Sequence, residues 1–524
     1  MTDASGVAVV PGPPGAEIAR SVAWRWLAPL SVALVGFVIF FVGLRLVRTD
    51  TVFYYTEGPV LGSLAALEAG GGLSALYPAD GWVEPPVVLT LYPPMYFALA
   101  ATVDRWAGSG GTFLGLRVVS AAALIGLLVL VALHTHVRRV PPLWVMALVA
   151  AVLMTPAVYQ LVGGGQADTL ALFWTWVGIT AALGTHSSRI RASRWLLAAA
   201  AAAFFLAFFA KQSFVAAPAA LVVSLFLIGR RGTAAAFGFG LAAFALCGVF
   251  LLDSLTAGGY LANTLGALTG GSGWSNLTSS LSASEPVQWL PIVVAVLLTV
   301  RRGLRLGFPE LYLLGSTLLH TVAMLKTGSS VNYLLEPTFA LVLLAVSRYP
   351  ARRRVTEPAE IGRGRFPWFG GAAAVFLAAV IGITTVRATV REYATMQGWL
   401  ASAGSARVSE FEGYPLVDAH FFPAVLARGG RPWLNDPFAF GALEEIGQWD
   451  PSRLVADLES HRIPFALTTV ALGSAPAPPG VGTREIVMAY FWRSRPVWSA
   501  LTGNYRPLES GPITAWLPLE AEAP

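Results

Sequence analysis

Four carboxylates and the only two lysines of the chain stand beside the ends of apolar runs, where they could handle a phosphate and a proton. Asp50 and Glu57 follow the first run, in the order Arg48-Thr-Asp-Thr-Val-Phe-Tyr-Tyr-Thr-Glu-Gly-Pro59. Gln166 and Asp168 precede the fourth, and Lys211–Gln212 close the fifth. Lys326, Asn332, Tyr333 and Glu336 surround the connection between the ninth and tenth. A carboxylate placed on a hydroxyl can take its proton, a contribution of typically ~10²–10⁴-fold. A lysine ammonium is a compact point charge suited to phosphate, and this chain uses arginine everywhere else. Ionisable groups at an apolar boundary are costly, so each is a site candidate. Each also has a plainer reading. Asp50 and Asp168 suit helix N-caps, the lysines could snorkel to the interface, and Tyr92-Pro93-Pro94 suits a first helical turn.

The elements that must position these groups are apolar helices. Of 524 residues, 55% are hydrophobic and 12% charged, which excludes an ordinary soluble protein. Eleven runs approach the ~20 residues needed to cross a bilayer: 26–46, 114–133, 143–162, 169–184, 195–210, 214–228, 233–252, 287–300, 311–325, 334–346 and 368–386. They lack period-two alternation and are rich in Ala, Leu, Gly and Val, so a helical bundle is expected rather than a barrel. Alternate loops collect sixteen arginines, from Arg138 to Arg365, while the opposite set holds only Lys211 and Lys326. That bias places the arginines in the cytoplasm and the lysines outside. The expectation is a multi-pass protein of the cell (inner or plasma) membrane with a cytoplasmic N-terminus. The formal charge of +6 fits this orientation and anionic-lipid contact, not nucleic acid.

Residues 87–106 are apolar enough to span, but a span there would reverse every later loop. They are therefore expected as an interfacial or re-entrant helix on the outer surface, within a first outer loop at 47–113. The organisation is a cytoplasmic tail at 1–25, a transmembrane domain at 26–386 and an extracytoplasmic domain at 387–524. In that last part, mixed charge and short apolar runs suggest a small α/β unit, with a helix at 452–460 and a strand at 463–470.

Other chemistries find little support. Cys247 lies in an apolar run and reads as a packed thiol. His134 and His136 adjoin cytoplasmic arginines and read as water-facing. No His/Cys/Asp/Glu cluster has metal-ligand spacing, there is no Walker-type loop, and Asn276-Leu-Thr278 is a weak sequon. No cofactor is called for, although a divalent cation is left open.

This constellation resembles the GT-C superfamily of integral-membrane glycosyltransferases, most closely the protein O-mannosyltransferase and aminoarabinose-transferase branch. The resemblance is carried by Asp50 with Glu57-Gly-Pro59, by Tyr92-Pro93-Pro94-Met95-Tyr96, and by Arg117 with Ser120. Asp168, Lys211–Gln212 and Asn332-Tyr-Leu-Leu-Glu-Pro337 also match. It implies inverting transfer of a sugar from a polyprenyl-phosphate donor to an acceptor hydroxyl on the outer face, the acceptor being an unknown glycan, lipid or protein. Glu57, Asp50 and Asp168 are then the catalytic candidates. Lys211, Gln212, Lys326, Tyr92, Pro93, Pro94, Tyr96 and Arg117 would bind donor phosphate and lipid, and Gln166, Asn332, Tyr333 and Glu336 the substrate. A secondary transporter or lipid flippase is the alternative. Such folds carry internal repeats and midplane charges, and no repeat is visible here.

Overall fold

The computed structural model describes residues 42–48, 57–80, 82–138, 140, 164–184, 190–266, 273–274, 276–278, 289–300, 306–326, 331–348, 413–418, 421–426, 429–468, 494–507 and 514–519. The expected spans at 143–162 and 368–386, most of the first span, and Asp50 lie outside these residues.

Helices dominate. Leu114–Val137, Asp168–Gly184, Ile190–Ala210, Ala216–Leu227, Arg231–Leu255, Leu290–Val300, Phe308–Ala323 and Leu335–Arg348 occur where spans were expected. Their Ala- and Leu-rich sequences favour helix intrinsically. Leu114–Val137 and Arg231–Leu255 have 24 and 25 residues, about 36 Å each, which exceeds a hydrocarbon core of about 30 Å. A third run long and apolar enough to cross, Glu57–Leu76, falls in the stretch expected as outer loop. It is broken at Gly70, whose φ of 92° no helix tolerates.

Small residues let these helices approach. A Cβ on Gly178 would come within 2.7 Å of the Phe204 ring, so the Asp168–Gly184 and Ile190–Ala210 helices meet through that glycine. The outward faces are apolar as well. On Arg231–Leu255 only Ala234 and Phe237 are buried, while Phe239, Phe244, Phe250 and Leu251 are exposed. A helix apolar all round needs an apolar solvent, and a bilayer supplies it. Cys247 sits on this helix and is exposed, which corrects the packed-thiol expectation, because a lipid-facing run has the same composition as a buried one. His134 also differs from expectation: it is half-buried, its ring edge-on to Trp176 at 6.4 Å.

A four-stranded sheet is built wholly from residues after 415. Its strands are β1 (Leu416–Val417), β2 (Ala466–Thr468), β3 (Tyr505–Pro507) and β4 (Thr514–Pro518), in the order β1-β2-β4-β3. β1 runs parallel to β2, with Leu416 opposite Ala466, and the other pairs are antiparallel. The helix Ser452–Glu459 precedes β2, so the helix-then-strand order read from the sequence is present. Trp433, Phe440, Leu454, Leu458 and Trp516 fill a core beside this sheet.

Residues 87–91 belong to that core rather than to an interfacial helix. Val87 N–H donates to the Trp433 carbonyl at 2.7 Å, and Asn435 N–H donates to the Val87 carbonyl at 3.0 Å. Val87 and Leu89 are buried in the same cluster as Trp433 and Leu434. Helix begins only at Met95, after Pro93 and Pro94, and ends at Ala107 with Gly108 left-handed. Hydropathy alone cannot separate a segment covered by protein from one covered by lipid, and here protein covers it.

Candidate functional site

Two buried ion pairs flank one another at the ends of the helices. The first is Arg117 with Glu57, 2.9 Å apart, both side chains wholly buried. Arg117 also donates to the carbonyls of Arg45 at 3.0 Å and Arg48 at 2.6 Å, and stacks over Phe113 at 4.4 Å. It therefore closes the last turn of one helix, where a cation suits the free carbonyls, and reaches the first residue of another. The second Glu57 oxygen accepts from Gly165 N–H at 2.8 Å. Tyr96 donates to the Leu116 carbonyl at 2.8 Å and meets Ser120 at 2.9 Å, and Ser120 donates to the Gln166 carbonyl at 3.0 Å. Glu57, Tyr96, Arg117 and Gln166 are thus brought together as a tight, buried knot. A carboxylate held by a guanidinium and a backbone N–H is a poor proton acceptor.

The second pair is Lys211 with Asp168, 2.6 Å apart and nearly buried. Lys211 follows the Ile190–Ala210 helix, and Asp168 opens the next helix back in sequence, where an acid suits the N-terminus. The ammonium lies 5.3 Å from the Tyr92 ring centre and 5.5 Å from that of Tyr333. Burial works against this ammonium, and Asp168, Tyr92 and Tyr333 more than offset it, so its pKa is raised. Among the described residues Asp168 Oδ2 has no hydrogen-bond partner. Gln212 donates to the Leu91 carbonyl at 2.8 Å, and Tyr77 donates to the Tyr92 carbonyl at 2.6 Å. These two bonds fix the loop that presents Tyr92.

Lys326 completes the group from just beyond the Phe308–Ala323 helix. It is half-buried, and burial pulls it down to about 8, with Asp436 opposing the shift and Lys211 adding to it. The two lysines, far apart in sequence, share one electrostatic space. Glu336 is buried and paired with His320 at 2.6 Å. The His320 ring packs 5.8 Å from the Tyr333 ring, so this pair holds the Val331–Leu334 turn that carries Asn332 and Tyr333.

Two residues of the site went unforeseen. His320 had a signal, an ionisable group inside an apolar run, which is a candidate by default in a membrane. Asp436 had none of that kind: Asn435-Asp-Pro437 reads as an ordinary helix start. It caps Pro437–Glu445 by accepting from Ala439 N–H at 3.0 Å, yet its charge also acts on Lys326 and Tyr92. Among the described residues no group of three His, Cys, Asp or Glu side chains could hold a metal ion.

No family model matches the chain, and no curated protein matches its sequence. Among solved structures it is similar to ArnT from Cupriavidus metallidurans bound to undecaprenyl phosphate, at 14% identity and a TM-score of 0.54. The match covers 94% of this chain and 98% of that one. A second similarity is to the archaeal oligosaccharyltransferase AglB from Archaeoglobus fulgidus, in complex with an inhibitory peptide and a dolichol-phosphate. Its identity is 12%, its coverage 95% of this chain and 75% of that one, and its TM-score 0.44. The chain shares the fold of that ArnT structure.

Proposed function

We propose that the chain is a multi-pass plasma-membrane glycosyltransferase that moves a sugar from a polyprenyl-phosphate donor to an acceptor hydroxyl on the outer face. The observation that carries this reading is the placement of Lys211 between Tyr92, Tyr333 and Asp168, with Lys326, the other lysine of the chain, acting electrostatically on it. Two ammonium groups at one apolar boundary, with aromatic walls, fit a lipid phosphate in charge and in surroundings. ArnT, whose fold the chain shares, is bound to undecaprenyl phosphate.

In this mechanism the isoprenoid tail lies along the apolar helices, bordered by Tyr92–Tyr96, and its phosphate meets Lys211 and Lys326. The acceptor oxygen attacks the anomeric carbon from the face opposite the phosphate, so configuration inverts. The bond from that carbon to the phosphate oxygen breaks, and both lysines stabilise the charge left on the departing phosphate. Such stabilisation is stronger at a half-buried site than in water. Asp168 orients Lys211 through their ion pair. Glu57 and Arg117 act as the knot that fixes Gly165 and hence the approach to Asp168. A carboxylate at the site takes the acceptor proton. Asn332 and Tyr333 line the sugar side, with Gln166 acting from the buried knot and Glu336 through the turn it anchors.

Binding gives the first test. Protein in nanodiscs is expected to bind undecaprenyl phosphate at least roughly tenfold more tightly than undecaprenol, the value of one charge-assisted contact. Equal affinities for the phosphate and the alcohol would remove the phosphate site and the function built on it.

A further inference from the structure

Residues 87–92 lead to the lysine cluster as neither helix nor sheet, apart from one β-bridge between Val87 and Leu434. Val87, Leu89 and Thr90 are nonetheless buried, and buried backbone N–H and C=O groups need partners. Three side-chain amides supply them. Asn435, from the C-terminal unit, donates to the Leu89 carbonyl at 3.1 Å, and its Oδ1 accepts from Leu89 N–H at 2.8 Å. Asn263, from the short helix Gly259–Thr264, accepts from Thr90 N–H at 3.2 Å. Gln212 donates to the Leu91 carbonyl at 2.8 Å.

Asn435 is the member of this set that joins the two units of the protein. Besides gripping Leu89, its amide donates to the Pro59 carbonyl at 3.3 Å and to Ser63 Oγ at 3.0 Å, both on the helix Glu57–Ala66. The side chain is buried. Contact with that helix is close: a Cβ on Gly62 would come within 2.7 Å of Asn435 Cβ and 3.3 Å of the Phe422 ring. By bonding both the N–H and the C=O of Leu89, the amide does what a paired residue of a neighbouring antiparallel strand does. Three residues further on, the Tyr92 ring centre lies 5.3 Å from the Lys211 ammonium.

We infer that Asn435 is a positioning residue of the donor-phosphate site: by holding Leu89 it sets Tyr92 against Lys211. The inference rests on the phosphate-binding reading above and makes the C-terminal unit a working part of that site. An aromatic face attracts an ammonium at this range. Release of Leu89 lets Tyr92 drift, and Lys211 then loses one wall of the position from which it meets the phosphate. Asn435 touches neither the phosphate nor the lysine and acts only through the segment it grips.

The test uses the full chain in nanodiscs, with undecaprenyl phosphate and undecaprenol as probes, each variant measured below its own thermal unfolding. Asn435→Ala is expected to lose roughly tenfold in affinity for the phosphate, the value of one charge-assisted contact, and to keep its affinity for the alcohol. Gly62→Ala removes no polar group but displaces Asn435, so it should weaken phosphate binding in the same sense. It decides the matter if Asn435→Ala does not fold. In a Tyr92→Leu background, Asn435→Ala should cost no further phosphate affinity, because the path it acts through is already cut. Unchanged phosphate affinity in the folded variant would overturn the inference, as would an undiminished further loss in the Tyr92→Leu background. An equal loss for both lipids would overturn it too, since that marks general loosening of the contact between the units. Each of these results leaves the phosphate site itself standing. A wild-type chain that binds the two lipids equally would instead remove that site, and the role of Asn435 with it.

Discussion

Replacing Glu57 with Gln is expected to cost about 3–5 kcal/mol of stability, the penalty for leaving a buried guanidinium without its counter-charge. Arg117 cannot shed its proton to escape this cost, and neither member of the pair has any exposed side-chain surface. The loss should reach further than the pair, because Arg117 also ties down the carbonyls of Arg45 and Arg48 and because Glu57 holds Gly165. Thermal unfolding in detergent measures it directly. The double variant Glu57→Gln with Arg117→Met should recover much of the stability, since removing both charges abolishes the desolvation penalty. A Glu57→Gln chain of normal stability that fails only in turnover would mean the carboxylate is the base after all.

Lys211→Met should weaken binding of undecaprenyl phosphate by roughly tenfold to a hundredfold, the range for one hydrogen bond to a charged group. It should also destabilise the chain, because Asp168 would remain buried without its 2.6 Å partner. The two effects can be separated. Adding Asp168→Asn to Lys211→Met should restore stability, with the stranded charge gone, but should not restore affinity. If affinity returns with stability, Lys211 shapes the site and does not touch phosphate. If affinity never fell, Lys211 has no part in donor binding.

How much of this was legible in the sequence depended on whether a residue's partner left a trace there. Asp168 and Lys211 stood out because each is a lone charge at the end of an apolar run, and charges so placed need a partner. The helical class followed from run lengths and from the absence of period-two alternation. Glu57 is different. Its Glu-Gly-Pro context marked it as special, but whether it meets a substrate or an arginine depends on the packing of Leu114–Val137, which spacing does not encode. Residues 87–91 illustrate the limit of hydropathy: Val87 and Leu89 are apolar because Trp433 and Leu434 cover them, and a protein core and a lipid tail demand the same residues. Cys247 is the reverse case, apolar in context and exposed. Asp436 was invisible because its electrostatic influence on Lys326 and Tyr92 joins segments separated by a hundred residues or more, while its local sequence already had a sufficient explanation as a cap.

The His320–Glu336 pair also changes how substrate recognition should be viewed. Glu336 is buried beside a helix rather than open to a ligand, so its substitution would act by letting Tyr333 drift from Lys211. The aromatic walls of the lysine cluster therefore depend on two different supports, the Tyr77 and Gln212 bonds behind Tyr92 and the His320–Glu336 pair behind Tyr333.

The most direct measurement is the release of undecaprenyl phosphate by the intact wild-type chain in nanodiscs, supplied with undecaprenyl-phosphate sugars and an acceptor hydroxyl. Sugar transfer predicts free undecaprenyl phosphate in step with glycosylated acceptor, formed with inverted anomeric configuration. Tight binding of the lipid with none released, or its movement across the bilayer with the sugar still attached, would contradict the account and make the chain a carrier.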